Sequence, residues 1–320
     1  MRILIGPNHQ GLEKIIPTIK SRHPEVDIVH CDDRSRLMDE LATAEAYMGW
    51  LSREAFIGAK NLRWIQSPST GVDGFLRTPE LRDGDVILTS ARGTHAACLA
   101  EHALGMIFAF TRGIRASMMD QQHHSWGARK LRDSLVELTG SAVGIVGFGT
   151  VGRALAERVH AFGTRILAVD VVPDNRPDYV EKLEGVEGLP DLLAASDYVV
   201  VTVPLVASTR HMISTEQIRQ MKPSAMLVGI SRGGVIDEDA LVAALEEDRL
   251  AAAALDVFET EPLPADSPLW DVENLLITPH DAGGTQFETD RILEIFTENV
   301  DRYVGKRFPL RNQIDKQRGF

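Results

Sequence analysis

The chain has 320 residues, 44% hydrophobic and 25% charged, with a formal net charge of −12. That length allows two domains with a substantial core, and the acidic balance argues against a nucleic-acid-binding surface, which needs a basic footprint. Cys31 and Cys98, the only cysteines, form no metal or redox spacing and point to a reducing, cytoplasmic compartment.

In chain order, the first residues are too short in apolar length for a signal peptide and read as a strand. Candidate strands at 2–5, 26–31, 46–49, 63–66 and 86–89 alternate with polar helical stretches. This rhythm predicts a small parallel sheet with helices on its faces. Residues 67–74 (SPSTGVDG) are turn formers. The backbone N–H groups of Thr70 and Gly71 suit an anion such as a carboxylate, although a plain surface loop reads the same way. A helix is expected from 94 to 117, apolar on more than one face and so buried between elements or at a subunit interface. Glu101 and His102 interrupt it, and it falls short of a membrane span. His123 and His124 fall on different faces of a helix, and no metal site is expected.

The most informative stretch is 143–170. A β-branched run ends in Gly147-Phe148-Gly149-Thr150-Val151-Gly152, and Val151, Leu155, Val159 and Phe162 follow at helical spacing. A second apolar run, 166–169, closes on Asp170. Gly147 permits a tight turn, Gly149 a close approach to a pyrophosphate, and Gly152 close packing of helix on strand. The helix N-terminus offers unpaired N–H groups to the phosphates. Asp170 suits the ribose hydroxyls and favours NAD over NADP, whereas Arg176 six residues on points the other way.

Further strands are expected at 198–203, 226–230, 252–257 and 275–278, making six with the first two, the number in a complete doubly wound sheet. Pro204, Arg232, Asp256, Glu261 and His280 all fall at or beyond carboxyl ends of these strands, where ligands bind in open α/β sheets. His280 is suited to proton transfer near neutrality. Glu261 within reach would fix its tautomer, and Arg232 could grip a carboxylate with two parallel hydrogen bonds. Taken singly, each has a bland alternative as a solvated surface residue. Residues 287–304 read as an amphipathic helix ending at Gly305, and 306–320 as an extended return.

Four ordered motifs carry a resemblance over nearly the whole chain: GFGTVG with Asp170, SRGGVIDEDAL (231–241), ALDVFETEPLP (254–264) and ITPHDAGGT (277–285). On these the chain resembles the D-isomer-specific 2-hydroxyacid dehydrogenases. The resemblance implies an NAD(H)-dependent α/β enzyme with two doubly wound domains. A Rossmann cofactor domain (93–285) would be inserted in a smaller, flavodoxin-like substrate domain (1–92 and 286–320). It implies Arg232, Glu261 and His280 as the catalytic trio, and Thr70, Gly71, Arg232 and His280 as substrate contacts. Cofactor contacts would run through Gly147, Phe148, Gly149, Thr150, Val151, Gly152 and Asp170, then Val203, Pro204 and Thr209. They would continue through Ile230, Ser231, Arg232, Asp256, His280 and Gly283, with Asp256 orienting the nicotinamide carboxamide. A homodimer through the 94–117 helix and closure of the domains against water are implied too.

Three positions depart from the family pattern. Gly229 stands where Asn is common, Val203 where a bulkier or polar residue precedes the Pro, and Asp281 where an apolar residue is usual. Asp281 either acts on His280 or faces solvent. Formate dehydrogenases carry Gln in place of Glu261, which speaks against formate. A phosphoglycerate dehydrogenase with a regulatory domain would need more chain after Phe320. A phosphite or sugar-acid specialist and an NAD-sensing corepressor are the alternatives.

Overall fold

The computed structural model describes residues 1–127 and 132–319. The chain divides into two compact units, Met1–His95 with Thr285–Phe320, and Ala96–Gly284. Residues 93–95 and Thr285 thus go with the first unit, a shift from the boundaries expected above. Within that unit the Thr94 carbonyl accepts from Arg291 at 2.7 Å and the His95 ring reaches Glu288 at 3.2 Å.

The first unit holds five parallel strands: β1 (Arg2–Ile5), β2 (Asp27–His30), β3 (Ala46–Met48), β4 (Trp64–Gln66) and β5 (Ile87–Thr89). Their order is β2-β1-β3-β4-β5, the flavodoxin-like arrangement. Alternate side chains serve opposite faces. Ile3, Ile5, Met48 and Trp64 pack with Phe296 and Val300, while Leu4, Tyr47, Ile65 and Leu88 form the other core. Ile292, Phe296 and Val300 recur at one-turn spacing on the helix Glu288–Val304, which covers the first of these faces. Asn299, fully buried, satisfies its amide against Gln66 Oε1 (2.9 Å) and the Arg311 carbonyl (3.0 Å). Beyond it, residues 306–319 form turns rather than the extended return expected, with one antiparallel bridge between Thr89 and Gln313. Phe320 lies outside the described residues.

Among the described residues, the second unit holds seven parallel strands: β6 (Ala142–Val146), β7 (Arg165–Val169), β8 (Lys182–Glu184), β9 (Tyr198–Val201), β10 (Met226–Gly229), β11 (Ala252–Leu255) and β12 (Leu275–Ile277). Their order is β12-β11-β10-β9-β6-β7-β8. The count corrects the expected six. β8 is Lys-Leu-Glu at the sheet edge, registered on β7 through Leu167 opposite Lys182. It has no buried residue, so no apolar run betrays it in the sequence. The expected helix over 94–117 is also corrected. One helix runs Ala96–Thr111, Gly113 takes a left-handed conformation (φ 64°), and a second helix runs Ile114–Gln122. Glycine adopts that backbone without a Cβ penalty, which ends the first helix there. Among the described residues no helix is long and apolar enough to cross a membrane.

The amino ends of β6 and β9 are tied by one side chain. Asp197, just before β9, accepts from the Ala142 N–H at 2.8 Å and from the Lys222 ammonium at 2.7 Å. Burial alone would raise its carboxyl, but the Ala142 N–H and the Lys222 ammonium outweigh that and hold it below the usual carboxylate range. A depressed folded-state value means the stabilisation is present above the unfolded value and is lost as pH falls through the folded one. Thermal melts should therefore fall more steeply below about pH 4 for the parent than for Asp197→Asn. Parallel curves would show that the contact contributes nothing.

Candidate active site

The reactive side chains of the second unit sit at the carboxyl edge of its sheet. Strand order reverses between β6 and β9, the place where open α/β sheets take ligands. At the end of β6 the chain turns through Gly147 at φ 97°, where a Cβ would lie 2.8 Å from Val203 Cγ1. A Cβ on Gly152 would lie 2.2 Å from the Gly147 carbonyl oxygen, so only glycine lets the Thr150–His160 helix start against this turn. A Cβ on Gly149 would meet no atom within 4 Å, which leaves an open side for a phosphate at the helix N-terminus. Asp170 closes the arrangement, accepting from Phe148 N–H at 2.6 Å and Val172 N–H at 2.9 Å. Each oxygen keeps lone-pair capacity for a hydroxyl donor. Arg176 is turned to the carbonyls of Val180 and Glu181. Arg153 stacks over the Phe148 ring at 4.7 Å. These residues fit a dinucleotide. Gly152→Ala should raise the Kd for the nucleotide by about tenfold or more through that backbone clash, read by fluorescence titration of NADH. Unchanged affinity would contradict the role given to the turn.

Three adjacent strands, β10, β11 and β12, lead into Arg232, Glu261 and His280. Arg232 follows β10, and its Nη1 donates to the Ser231 carbonyl at 2.8 Å. Glu261 lies beyond β11, with Oε1 accepting from Phe258 N–H at 2.9 Å and Oε2 meeting His280 Nδ1 at 2.7 Å. His280 follows β12 with a positive φ of 55°, a backbone that non-glycine residues adopt only when held there. The hold is visible. Asp256, 1% exposed, accepts from Asp281 N–H and Ala282 N–H at 3.1 Å each and from the Thr278 hydroxyl at 2.6 Å. Its carboxylate thus holds the Thr278 side chain before His280 and the backbone after it. With those three donors in place, about one acceptor position of the carboxylate is left for a ligand amide.

Sequence reasoning missed two groups behind this front, His102 and Glu238. His102, in the Ala96–Thr111 helix, contacts Thr278 Oγ1 at 3.0 Å. Since the Thr278 hydrogen goes to Asp256, His102 Nε2 must be the donor. Glu238 accepts from Glu259 N–H at 2.6 Å and steadies the loop that carries Glu261. Burial, then the carboxylates of Glu259, Asp239 and Glu261, push its carboxyl up against the opposing Glu259 N–H. Thr209 braces the loop after β9, accepting from Val206 N–H at 2.9 Å and donating to the Pro204 carbonyl at 2.6 Å. Ile230 is buried and Ser231 half-buried. The Gly283 carbonyl accepts from Cys98 Sγ at 3.3 Å.

In the first unit, the Ser67–Gly71 loop follows β4. Gln66 Nε2 donates to the Ser67 carbonyl at 3.0 Å, Ser67 Oγ accepts from Ser69 N–H at 3.1 Å, and Ala91 N–H donates to the Ser69 carbonyl at 2.9 Å. Thr70 and Gly71 are half-buried at its tip. The loop is built rather than slack.

The family described as "D-isomer specific 2-hydroxyacid dehydrogenase, NAD binding domain" matches residues 104–282, more than half of the chain. The chain belongs to the D-isomer specific 2-hydroxyacid dehydrogenases. It is 36% identical over 286 residues to an (S)-sulfolactate dehydrogenase of Chromohalobacter salexigens, covering 88% of this chain and 91% of the relative. It is 35% identical over 263 residues to a glyoxylate reductase of Korarchaeum cryptofilum, covering 81% of this chain and 78% of that one. A D-isomer specific 2-hydroxyacid dehydrogenase of Xanthobacter autotrophicus, solved with NADPH and MES, superposes with a TM-score of 0.85 at 27% identity over 99% of each chain.

Two departures from the dehydrogenase pattern have a physical account. A Cβ on Gly229 would lie 2.8 Å from both Ile236 Cδ1 and Leu255 Cδ2, so this core fills the room a larger residue would take. Asp281 is exposed, yet its carboxylate lies within 4.8 Å of the ligating atoms of both His102 and Asp256. That trio has the composition of a metal site, but Asp256 and the His102 Nε2 are already engaged in the hydrogen bonds above.

Proposed function

We propose that His280, Glu261 and Arg232 carry the interconversion of a 2-keto acid and a D-2-hydroxy acid with NAD(H), a general reaction shared by the family. The reading is carried by the 2.7 Å contact between His280 Nδ1 and Glu261 on the sheet edge that also bears the glycine turn. Glu261 accepts at Nδ1, which leaves Nε2 as the nitrogen that exchanges a proton with the substrate. In the reducing direction Nε2–H protonates the C2 oxygen, and the Glu261 carboxylate stabilises the imidazolium beforehand. Arg232 binds the substrate carboxylate and the C2 oxygen through its planar fork. In the first unit, the Thr70 and Gly71 N–H groups are donors suited to a substrate carboxylate. NAD(H), when bound, supplies or accepts the hydride.

NAD is favoured over NADP because Asp170 would repel a 2′-phosphate and Arg176 is committed to carbonyls. We infer a homodimer as well: Ile114, Met118 and Met119 leave an apolar face exposed on the Ile114–Gln122 helix. Light scattering tests that directly, and a monomer would refute it. The test of function is NADH oxidation with glyoxylate, hydroxypyruvate, 3-sulfopyruvate, pyruvate and phenylpyruvate, with NADPH in parallel. Turnover of at least one acid, faster with NADH, is the expected result. A faster rate with NADPH would overturn the assignment of Asp170.

A further inference from the structure

The first unit contains a histidine–glutamate pair that ends on the loop just assigned to the substrate carboxylate. His95 Nε2 lies 3.2 Å from Glu288 Oε1, which also accepts from Gln10 Nε2 at 3.2 Å. On the other side of the ring, Nδ1 lies 2.9 Å from Thr70 Oγ1 and 3.0 Å from Thr94 Oγ1. The imidazole is largely enclosed, with 13% of its side chain exposed.

Hydrogen positions follow from what each partner can do. Thr94 has one hydroxyl hydrogen, and it goes to the Ala91 carbonyl at 2.8 Å, an acceptor only. Thr94 Oγ1 therefore meets Nδ1 as an acceptor. The Glu288 carboxylate likewise meets Nε2 as an acceptor. Nδ1–H then also serves Thr70 Oγ1. Among the described residues, the only other contact of the Thr70 hydroxyl is the Ala91 carbonyl at 3.5 Å, too long to hold its hydrogen.

We propose that His95 is a positioning residue: backed by Glu288, it donates to Thr70 Oγ1 and so turns the Thr70 hydroxyl hydrogen toward the substrate carboxylate. The hydroxyl then joins the Thr70 and Gly71 N–H groups as a donor to that anion. Glu288 fixes the ring and Gln10 fixes Glu288, with Thr289 Oγ1 holding the Gln10 carbonyl at 2.9 Å. All of these groups lie in the first unit, remote in sequence from the glycine turn, so the effect falls on the acid substrate and not on the nucleotide. The inference rests on the assignment of Thr70 to the substrate carboxylate made above.

Two near-isosteres separate the two ring nitrogens. His95→Asn keeps an N–H donor where Nδ1 stands, whereas His95→Gln places one where Nε2 stands. The expected result is a KM for the keto acid raised about tenfold in His95→Gln and His95→Ala, and within about threefold of the parent in His95→Asn. The KM for NADH and kcat should stay within about twofold of the parent. Thr70→Val should reproduce His95→Ala, and the double variant should be no worse than either single one. An unchanged KM in His95→Ala would overturn the proposal, as would equal values for Asn and Gln, or a KM for NADH rising by the same factor. Oxamate, a carboxylate probe that is not turned over, separates this proposal from the reading beneath it. If the parent protein reduced no keto acid, that reading would fail, while oxamate binding weakened in His95→Ala would still support the relay. Equal oxamate affinity in the two proteins would overturn the relay itself.

Discussion

His280→Asn is expected to lower kcat by about a thousandfold while leaving the KM for NADH near its parent value. Asparagine is the informative choice because it tolerates the left-handed backbone that His280 occupies at φ 55°. The loop clamped by Asp256 through Asp281 N–H and Ala282 N–H can therefore keep its shape. What disappears is the group able to pass a proton and its 2.7 Å contact with Glu261. Glu261→Gln should cost less, about tenfold to a hundredfold, because the imidazole remains and loses only the carboxylate that orients and stabilises it. Steady-state kinetics with the best keto acid reads both. A His280→Asn protein that kept its kcat would remove the histidine from the proton-transfer role.

Gly233→Ala should be damaging in a different way. A Cβ there would sit 1.8 Å from the Phe258 carbonyl oxygen and 2.0 Å from its carbon, with Glu259 N at 2.6 Å. These are backbone atoms, and no rotamer change relieves them. The turn carrying Arg232 would have to part from the Phe258–Glu261 loop, whose Phe258 N–H holds Glu261 Oε1. A destabilisation of about 3 kcal/mol is expected from such overpacking. The accompanying misplacement of Arg232 or Glu261 should lower kcat/KM by about a hundredfold. Gly234→Ala is the internal comparison. It has φ +81° but no atom closer than 3.5 Å to a Cβ, so only backbone strain of about 1–2 kcal/mol is expected. Urea unfolding and kinetics of both variants decide the matter, and equal losses would show that close approach is not the cause.

The glycine turn and Asp170 were legible because local sequence dictates them. The glycine turn needs three small residues at fixed spacing between a strand and a helix, and Asp170 closes the next strand. The strand β8 was hidden because an edge strand of three residues, two of them charged, carries no apolar run. The helix expected over 94–117 is too long because its apolar pattern continues past Gly113, whose backbone alone breaks it. The partners behind the site were hidden for a third reason. His102 meets Thr278 across 176 positions and His95 meets Glu288 across 193, and no periodicity links residues so far apart. Asp256 shows the same limit: its place at the end of β11 was readable, but its clamp on the His280 backbone required the fold.

The most direct test of the account is the configuration of the product. With NADH and hydroxypyruvate, or whichever keto acid yielding a chiral product turns over fastest, chiral chromatography should find the D-2-hydroxy acid alone, formed in equal amount to the NADH consumed. The L-enantiomer, a racemate, or NADH consumed without hydroxy acid would contradict it.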